Sequence, residues 1–278
     1  MKNPTMQEPM EESGAGYRFT RLTSRMLMDD FRFGKTAAAA GDPLPEAELA
    51  ATDGRRINTR DYAEGRPLLL IFGSLTCPMT VSSDPSLKRL HAEFGDKIRF
   101  LTLYVREAHP GENFPQPESL EEKLEHARAL KEMDQIPWTV AADDIDGTLH
   151  RALDTKPNAA YIIDTEGKIV FRALWAGDER SLRKALKSLA QGRDSAKRES
   201  RAMLGPMAKA MGNFQAVLRR AGRQAERDIL RAMPPIAVAG RIATLFRPLS
   251  PQGRGAAAMV TLGSLAAAAG WAALRWLG

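Results

Sequence analysis

The sequence predicts a mixed α/β sandwich carrying a helical, strongly basic C-terminal tail, on three observations. Short apolar runs at residues 67–72, 98–105 and 138–142 alternate with segments of helical periodicity, the pattern of parallel strands buried on both faces. Two hairpin signals, Asp53-Gly54 and Glu166-Gly167, bracket that core. Charge is unevenly shared: residues 181–254 hold 16 Lys and Arg against 4 Asp and Glu, whereas residues 1–180 hold 23 against 30. A mildly acidic body thus carries a basic tail, which implies at least two functional regions.

Each element follows in order. Residues 1–41 read as a polar lead-in and linker with a short helix over 23–32, and they contain no apolar run suited to export, so a cytoplasmic chain is expected. Pro43 and Pro45 then forbid a continuous helix. The body spans 42–190. It opens with the hairpin around Asp53-Gly54, between extended stretches at 47–51 and 56–58. The run at 67–72 is the first buried strand, and a helix is expected over 85–94, carrying Leu87 and Leu90. The second strand is 98–105. Ser119 and Glu122 form a capping box before Leu120, Leu124, Ala127, Leu130 and Met133, which recur at helical spacing. Residues 138–142 make a third strand, 161–163 and 169–171 an antiparallel pair, and 181–189 a closing helix.

Cys77 is the single cysteine, so no intramolecular disulfide and no cysteine-cluster zinc or iron–sulfur site can form. It follows the first buried strand in Phe72-Gly73-Ser74-Leu75-Thr76-Cys77-Pro78, at a carboxyl strand end where open sheets place their ligands. Pro78 suits the first turn of a helix, and a helix N-terminus favours thiolate over thiol. Two readings stand: a reactive thiol titrating below the ~8.5 of free cysteine, or a small buried hydrophobe. Glu107 and His109 leave the next parallel strand on the same side. His109 could hold or supply a proton with Glu107 orienting its ring, or be a solvated loop histidine. His91, His126 and His150 read as helix-surface residues, and they share no metal-ligand spacing.

Residues 42–177 resemble the iodothyronine deiodinases and their bacterial relatives in the thioredoxin-like superfamily. The carriers are Arg66-Pro67-Leu68, the Phe72–Pro78 run, Tyr104-Val105-Arg106-Glu107-Ala108-His109-Pro110, Pro115-Gln116, Ser119-Leu120-Glu121, Ile136-Pro137 and Val140-Ala141-Ala142-Asp143. The resemblance implies a thioredoxin-like sandwich with an N-terminal hairpin of the peroxiredoxin type. It implies that Cys77 stands where the family commonly has selenocysteine, with Glu107 and His109 in the active site. Ser74, Thr76 and Pro157 are expected on the substrate side, and no bound cofactor or metal is expected. Three positions depart from the pattern: Leu75 replaces a cysteine able to resolve an oxidised intermediate, Pro117 a second histidine, and Ala159 a substrate-contacting arginine. The implied activity is a thiol-dependent oxidoreductase performing reductive dehalogenation or peroxide-type reduction on a small molecule. With one cysteine, the electrons must come from an external thiol, glutathione or a thioredoxin-like protein. The competing expectation is a non-catalytic, membrane-tethered scaffold of the same fold that binds a partner through its basic tail.

Residues 191–254 form the basic helical region. A long helix is expected over 206–233, with Met207, Met211, Phe214, Leu218, Ala221 and Ala225 on one face and Arg219, Arg220, Arg223 and Arg227 on the other. Its apolar face could pack on a partner or lie on an anionic membrane surface; nucleic-acid binding is disfavoured, because no recognised module accompanies the charge. Residues 255–274 are then uncharged over about the ~20 positions that cross a hydrocarbon core, though nine are alanine. Arg241, Arg247 and Arg254 precede them, and Trp271 and Trp276 lie near the end. Residues 255–278 are therefore a candidate tail anchor to the inner membrane, with the catalytic domain in the cytoplasm. The alternative is a helix packed on its own domain or in a homodimer.

Overall fold

The computed structural model describes residues 16–62, 65–193 and 197–277; residues 1–15 of the lead-in and Gly278 at the end of the candidate anchor lie outside the described residues. The expected apolar runs become β3 (Leu68–Gly73), β4 (Arg99–Tyr104) and β5 (Thr139–Ala142), paired in parallel with β4 in the middle. The N-terminal hairpin is β1 (Glu48–Ala51) and β2 (Arg56–Asn58), and β1 joins the sheet antiparallel to β5. β6 (Ala160–Ile163) runs antiparallel to β3, and β7 (Ile169–Ala173) antiparallel to β6. A short β8 (Glu199–Ser200) extends the sheet beyond the boundary expected at residue 190, because Arg172 on β7 pairs with Glu199 both through the ladder and through its side chain. The sheet order is β2-β1-β5-β4-β3-β6-β7-β8.

Side chains alternate faces along a strand. Leu69 and Ile71 of β3 therefore meet α3 (Pro78–Phe94), α4 (Leu120–Met133) and α6 (Glu179–Ala190), while Leu68, Leu70 and Phe72 meet α5 (Thr148–Leu153) and the hairpin's Leu49 and Ile57. This is the mixed α/β sandwich that the pattern predicts, in the thioredoxin-like form that the family resemblance implies. α3 begins at Pro78 rather than near Pro85, since Pro85 removes one interior hydrogen bond that a helix of 17 residues tolerates. A four-residue α2 (Thr59–Tyr62) follows the hairpin.

The tail departs further from expectation. The long helix over 206–233 is two helices, α7 (Leu204–Ala221) and α8 (Arg223–Ala232), broken at Gly222 with φ 126°. The loop after β4 fills the break: Asn113 N donates to Ala221 O at 3.0 Å, and Gln224 N donates to the Glu112 carboxylate at 2.8 Å. The positive φ of Gly222 suits glycine and strains any residue with a side chain, and a Cβ there would also displace the Glu112 carboxylate, 2.4 Å away. The apolar stripe of α7 packs against the chain itself, with Met211, Phe214, Leu218 and Ala221 buried beside Leu22 and Leu27 of the lead-in. The stripe is therefore not free to lie on a bilayer. Lys209 and Asn213 fasten α7 to α3 through Ser86 and Ser82.

α9 (Pro234–Ala243) and a single 3₁₀ turn (Thr244–Phe246) lead to α10 (Pro251–Leu277). α7 and α10 approach so closely that a Cβ at Gly212 would lie 1.8 Å from Pro251 O, and one at Gly255 1.8 Å from Ala208 O. Among the described residues Ala258 is the last fully buried one, and beyond Leu262 α10 leaves the body. Val260, Leu265, Trp271 and Leu274 are exposed. Leu262 still packs, half-buried, against the cluster that α7, α8 and α9 share, and residues 263–272 are exposed.

Candidate active site

The site forms where β3 ends and α3 begins. Cys77 occupies the N-cap of α3, and the turn before it is fixed by donors and acceptors from the loop after β4. Glu107 is fully buried and acts as the hub. One carboxylate oxygen accepts from Thr76 N at 3.1 Å and from Thr76 Oγ1 at 2.6 Å; the other accepts from the Tyr104 hydroxyl in a very short bond and faces His126 Nδ1 at 3.1 Å. The Tyr104 hydroxyl in turn accepts from Leu75 N at 3.2 Å. Burial and the Glu107 charge both push the Tyr104 phenol upward, which keeps it protonated as a donor. Thr76 Oγ1 accepts from His109 N at 3.1 Å, and Ser74 Oγ accepts from Ala108 N at 3.3 Å.

This arrangement corrects three expectations. Glu107 does not orient the His109 ring, because its oxygens are committed to Thr76, Tyr104 and His126; it positions the Cys77 turn. Ser74 and Thr76 are fully buried, hold the loop, and do not line the cavity at Cys77. His126 is not a surface histidine: it completes the Glu107 shell, and its ring packs edge-on to Phe114 at 5.4 Å. His150 is also buried, between the Tyr17 hydroxyl and Lys156 O. A signal for His126 was present, since Lys123, Ala127 and Leu130, all buried, share its side of α4.

Cys77, His109 and Pro157 do come together, on the wall of a cavity of about 50 Å³. Its other walls are mostly apolar: Phe31 from the lead-in, Trp175, Met207 and Phe214 among them. Lead-in residues Leu27, Asp30 and Phe31 were missed, because nothing in a polar N-terminal segment signals a return to the site. Among the described residues no cluster of His, Cys, Asp and Glu could hold a metal ion.

Electrostatics at the thiol reverse the expected direction. The helix start and the Thr80 hydroxyl favour the thiolate, but desolvation is the larger effect and pushes Cys77 up to about 11. Cys77 is 1% exposed, so water cannot relieve the cost. The same dryness pulls His109 down to about 4. Its Nδ1 is buried without a hydrogen-bond partner, and its ring meets Phe214 edge-on at 6.1 Å. The closed site therefore holds a neutral thiol beside a neutral imidazole.

Fold and site together define a thioredoxin-fold protein with a single cysteine heading the helix that follows its first central strand. A sequence model of the family described as iodothyronine deiodinase matches residues 21–186, more than half of the chain, and the chain belongs to that family. A thyroxine 5-deiodinase of Gallus gallus is 32% identical over 147 residues, covering 49% of this chain and 56% of the relative. The Homo sapiens thyroxine 5-deiodinase is 35% identical over 106 residues, covering 34% and 35%. This chain thus spans about a third to a little over half of the curated relatives it matches. A crystal structure of an uncharacterized conserved protein from Geobacillus kaustophilus aligns with a TM-score of 0.49 at 20% identity, over 58% of this chain and 87% of that one.

Two outcomes are expected. Alkylation of Cys77 against pH should give a midpoint above the ~8.5 of a free thiol; a midpoint at or below that value would mean that the helix start outweighs burial. Glu107→Ala leaves buried donors without their acceptor and should cost about 2–5 kcal/mol of stability. A loss under ~1 kcal/mol by denaturant unfolding would show that other bonds hold the turn.

Proposed function

We propose that this protein is a thiol-dependent reductase that removes a halogen from an apolar aromatic molecule, with electrons from an external thiol. The observation that carries this is the placement of buried Cys77 and His109 on one wall of a largely apolar cavity to which Phe31, Trp175 and Phe214 contribute rings. A halogenated ring suits such walls. An alkoxide leaving from a peroxide would need more hydrogen-bond donors than they offer. Cavities that hold drug-sized ligands measure ~300–1,000 Å³, so a substrate ring enters by displacing the Met207–Phe214 side of α7 or the lead-in.

The chemistry runs through sulfur. As the ring enters, Sγ attacks the halogen while His109 Nδ1, neutral and unpartnered, takes the thiol proton. The carbon–halogen bond breaks, its electron pair stays on the ring carbon, and a proton completes the arene. Cys77 is left as a sulfenyl halide. One external thiol displaces halide to give a mixed disulfide, and a second restores the Cys77 thiol and leaves as disulfide. Leu75, buried beside the site, offers no internal resolving thiol.

The cytoplasmic, tail-anchored placement is part of this proposal. What supports it is α10, a helix long and apolar enough to cross a membrane, whose residues 263–272 are exposed.

Purified protein supplied with dithiothreitol should release iodide from iodinated phenols, and Cys77→Ser should abolish this while leaving the fold intact. Faster turnover of hydroperoxides than of iodophenols would replace dehalogenation by peroxide reduction; iodide release and hydroperoxide turnover by the wild-type chain no faster than without protein would leave only the scaffold reading. The full chain should pellet with membranes and resist a high-salt wash, whereas a chain ending at Ala258 should be released. Salt release of the full chain would remove the anchor, since screening does not touch apolar insertion.

A further inference from the structure

The chemistry proposed above consumes a proton at the ring carbon, inside a cavity with few polar walls. Among the described residues lining it, only Cys77, His109 and Asp30 carry titratable side chains. His109 is neutral, and it can give a proton only after receiving the one from the thiol. Asp30 differs in its position. Together with Ala108 and Pro157 it lines a second pocket of about 190 Å³, whose walls include Asp29, Arg106, Thr155 and Lys156. It therefore stands at the seam between the apolar thiol cavity and a polar pocket.

Asp30 is the last residue of α1 (Ser24–Asp30), and that helix is tied down on both sides of the seam. Lys156 Nζ donates to Asp29 O at 3.0 Å, Gly34 N donates to the Asp154 carboxylate at 2.9 Å, and Phe31 packs edge-on to Trp175 at 6.3 Å. We propose, resting on the reading that Cys77 attacks a carbon-bound halogen, that Asp30 is the proton donor of that reaction. Its carboxyl protonates the ring carbon as the carbon–halogen bond breaks, and the resulting carboxylate is reprotonated from the Arg106 and Lys156 side. The proton that His109 took from the thiol leaves by the same route, so each turnover returns the site to its starting charge. Burial lifts the Asp30 carboxyl to about 7. Asp29 and Asp154 push the same way, and Arg106 and Lys156 oppose them. The acid is thus available near neutrality and is lost as pH rises through that value.

The test uses the full-length protein, an iodinated phenol and dithiothreitol, with iodide release followed from mildly acidic to mildly alkaline pH. Asp30→Asn should lower turnover about 100-fold, the usual worth of a general acid, and should lose the limb on which wild-type turnover falls as pH rises. Asp30→Glu keeps the acid and should keep that limb. Cys77 in Asp30→Asn should alkylate as fast as in wild type or faster, because a carboxylate that disfavours the thiolate is gone; this separates loss of the proton from loss of the site. Asp30→Asn with the wild-type rate and pH profile would overturn the assignment while the Cys77 reading stands. Wild-type protein that releases no iodide at any pH would overturn that reading and the assignment with it.

Discussion

One buried carboxylate fixes the geometry on which the site depends. Glu107 lies out of reach of water, and a charge there is tolerable only if every lone pair finds a donor. The donors come from three parts of the chain: Thr76 in the turn before Cys77, Tyr104 at the end of β4, and His126 on α4. The cost of leaving that charge unpaired clamps two parallel strand ends and a crossover helix to a single arrangement. His109 and Cys77 owe their positions to it, although neither side chain touches it.

The clamp produces a conflict at the thiol. A cysteine heading a long helix in an open turn would be an acidic thiol. Here the lead-in and α7 cover the same turn, and the loss of solvent outweighs the helix start. On the proposed function, reactivity is coupled to access: an event that admitted a substrate or a few waters would also lower the cost of forming the thiolate. A closed site that is chemically quiet protects a lone cysteine from the irreversible oxidation that an exposed thiolate invites.

What the sequence made legible followed from local signals. The apolar run at β3, the capping box at Ser119 and the Asp53-Gly54 turn each carry their meaning within a few residues, and the fold assembled from them is the one observed. That Cys77 and His109 share one cavity wall was readable because parallel strand ends share a side. The role of Glu107 was not, because its partners are set by loop conformation rather than by spacing. His126 was read as surface from its polarity, although its inward neighbours on α4 marked the face. Asp30 lay beyond reach because the return of α1 to the site is made by long-range bonds to Asp154 and Lys156. The break at Gly222 was hidden in a periodic pattern that continues across it; the loop carrying Glu112 and Asn113, not the helix, demands it.

The close crossing of α7 and α10 has a mechanical meaning. Gly212 and Gly255 bring the two backbones into direct contact, and no flexible segment separates them there. α7 supplies Met207, Ala210, Met211 and Phe214 to the cavity wall. Whatever grips the free end of α10 therefore grips a lever whose other arm is the wall of the thiol cavity. On the proposed function, the body would be held at one attitude rather than swinging on a leash, which would restrict the solid angle from which a bulky protein reductant could approach. A small thiol, free of that orientational restriction, would reach the site with less penalty.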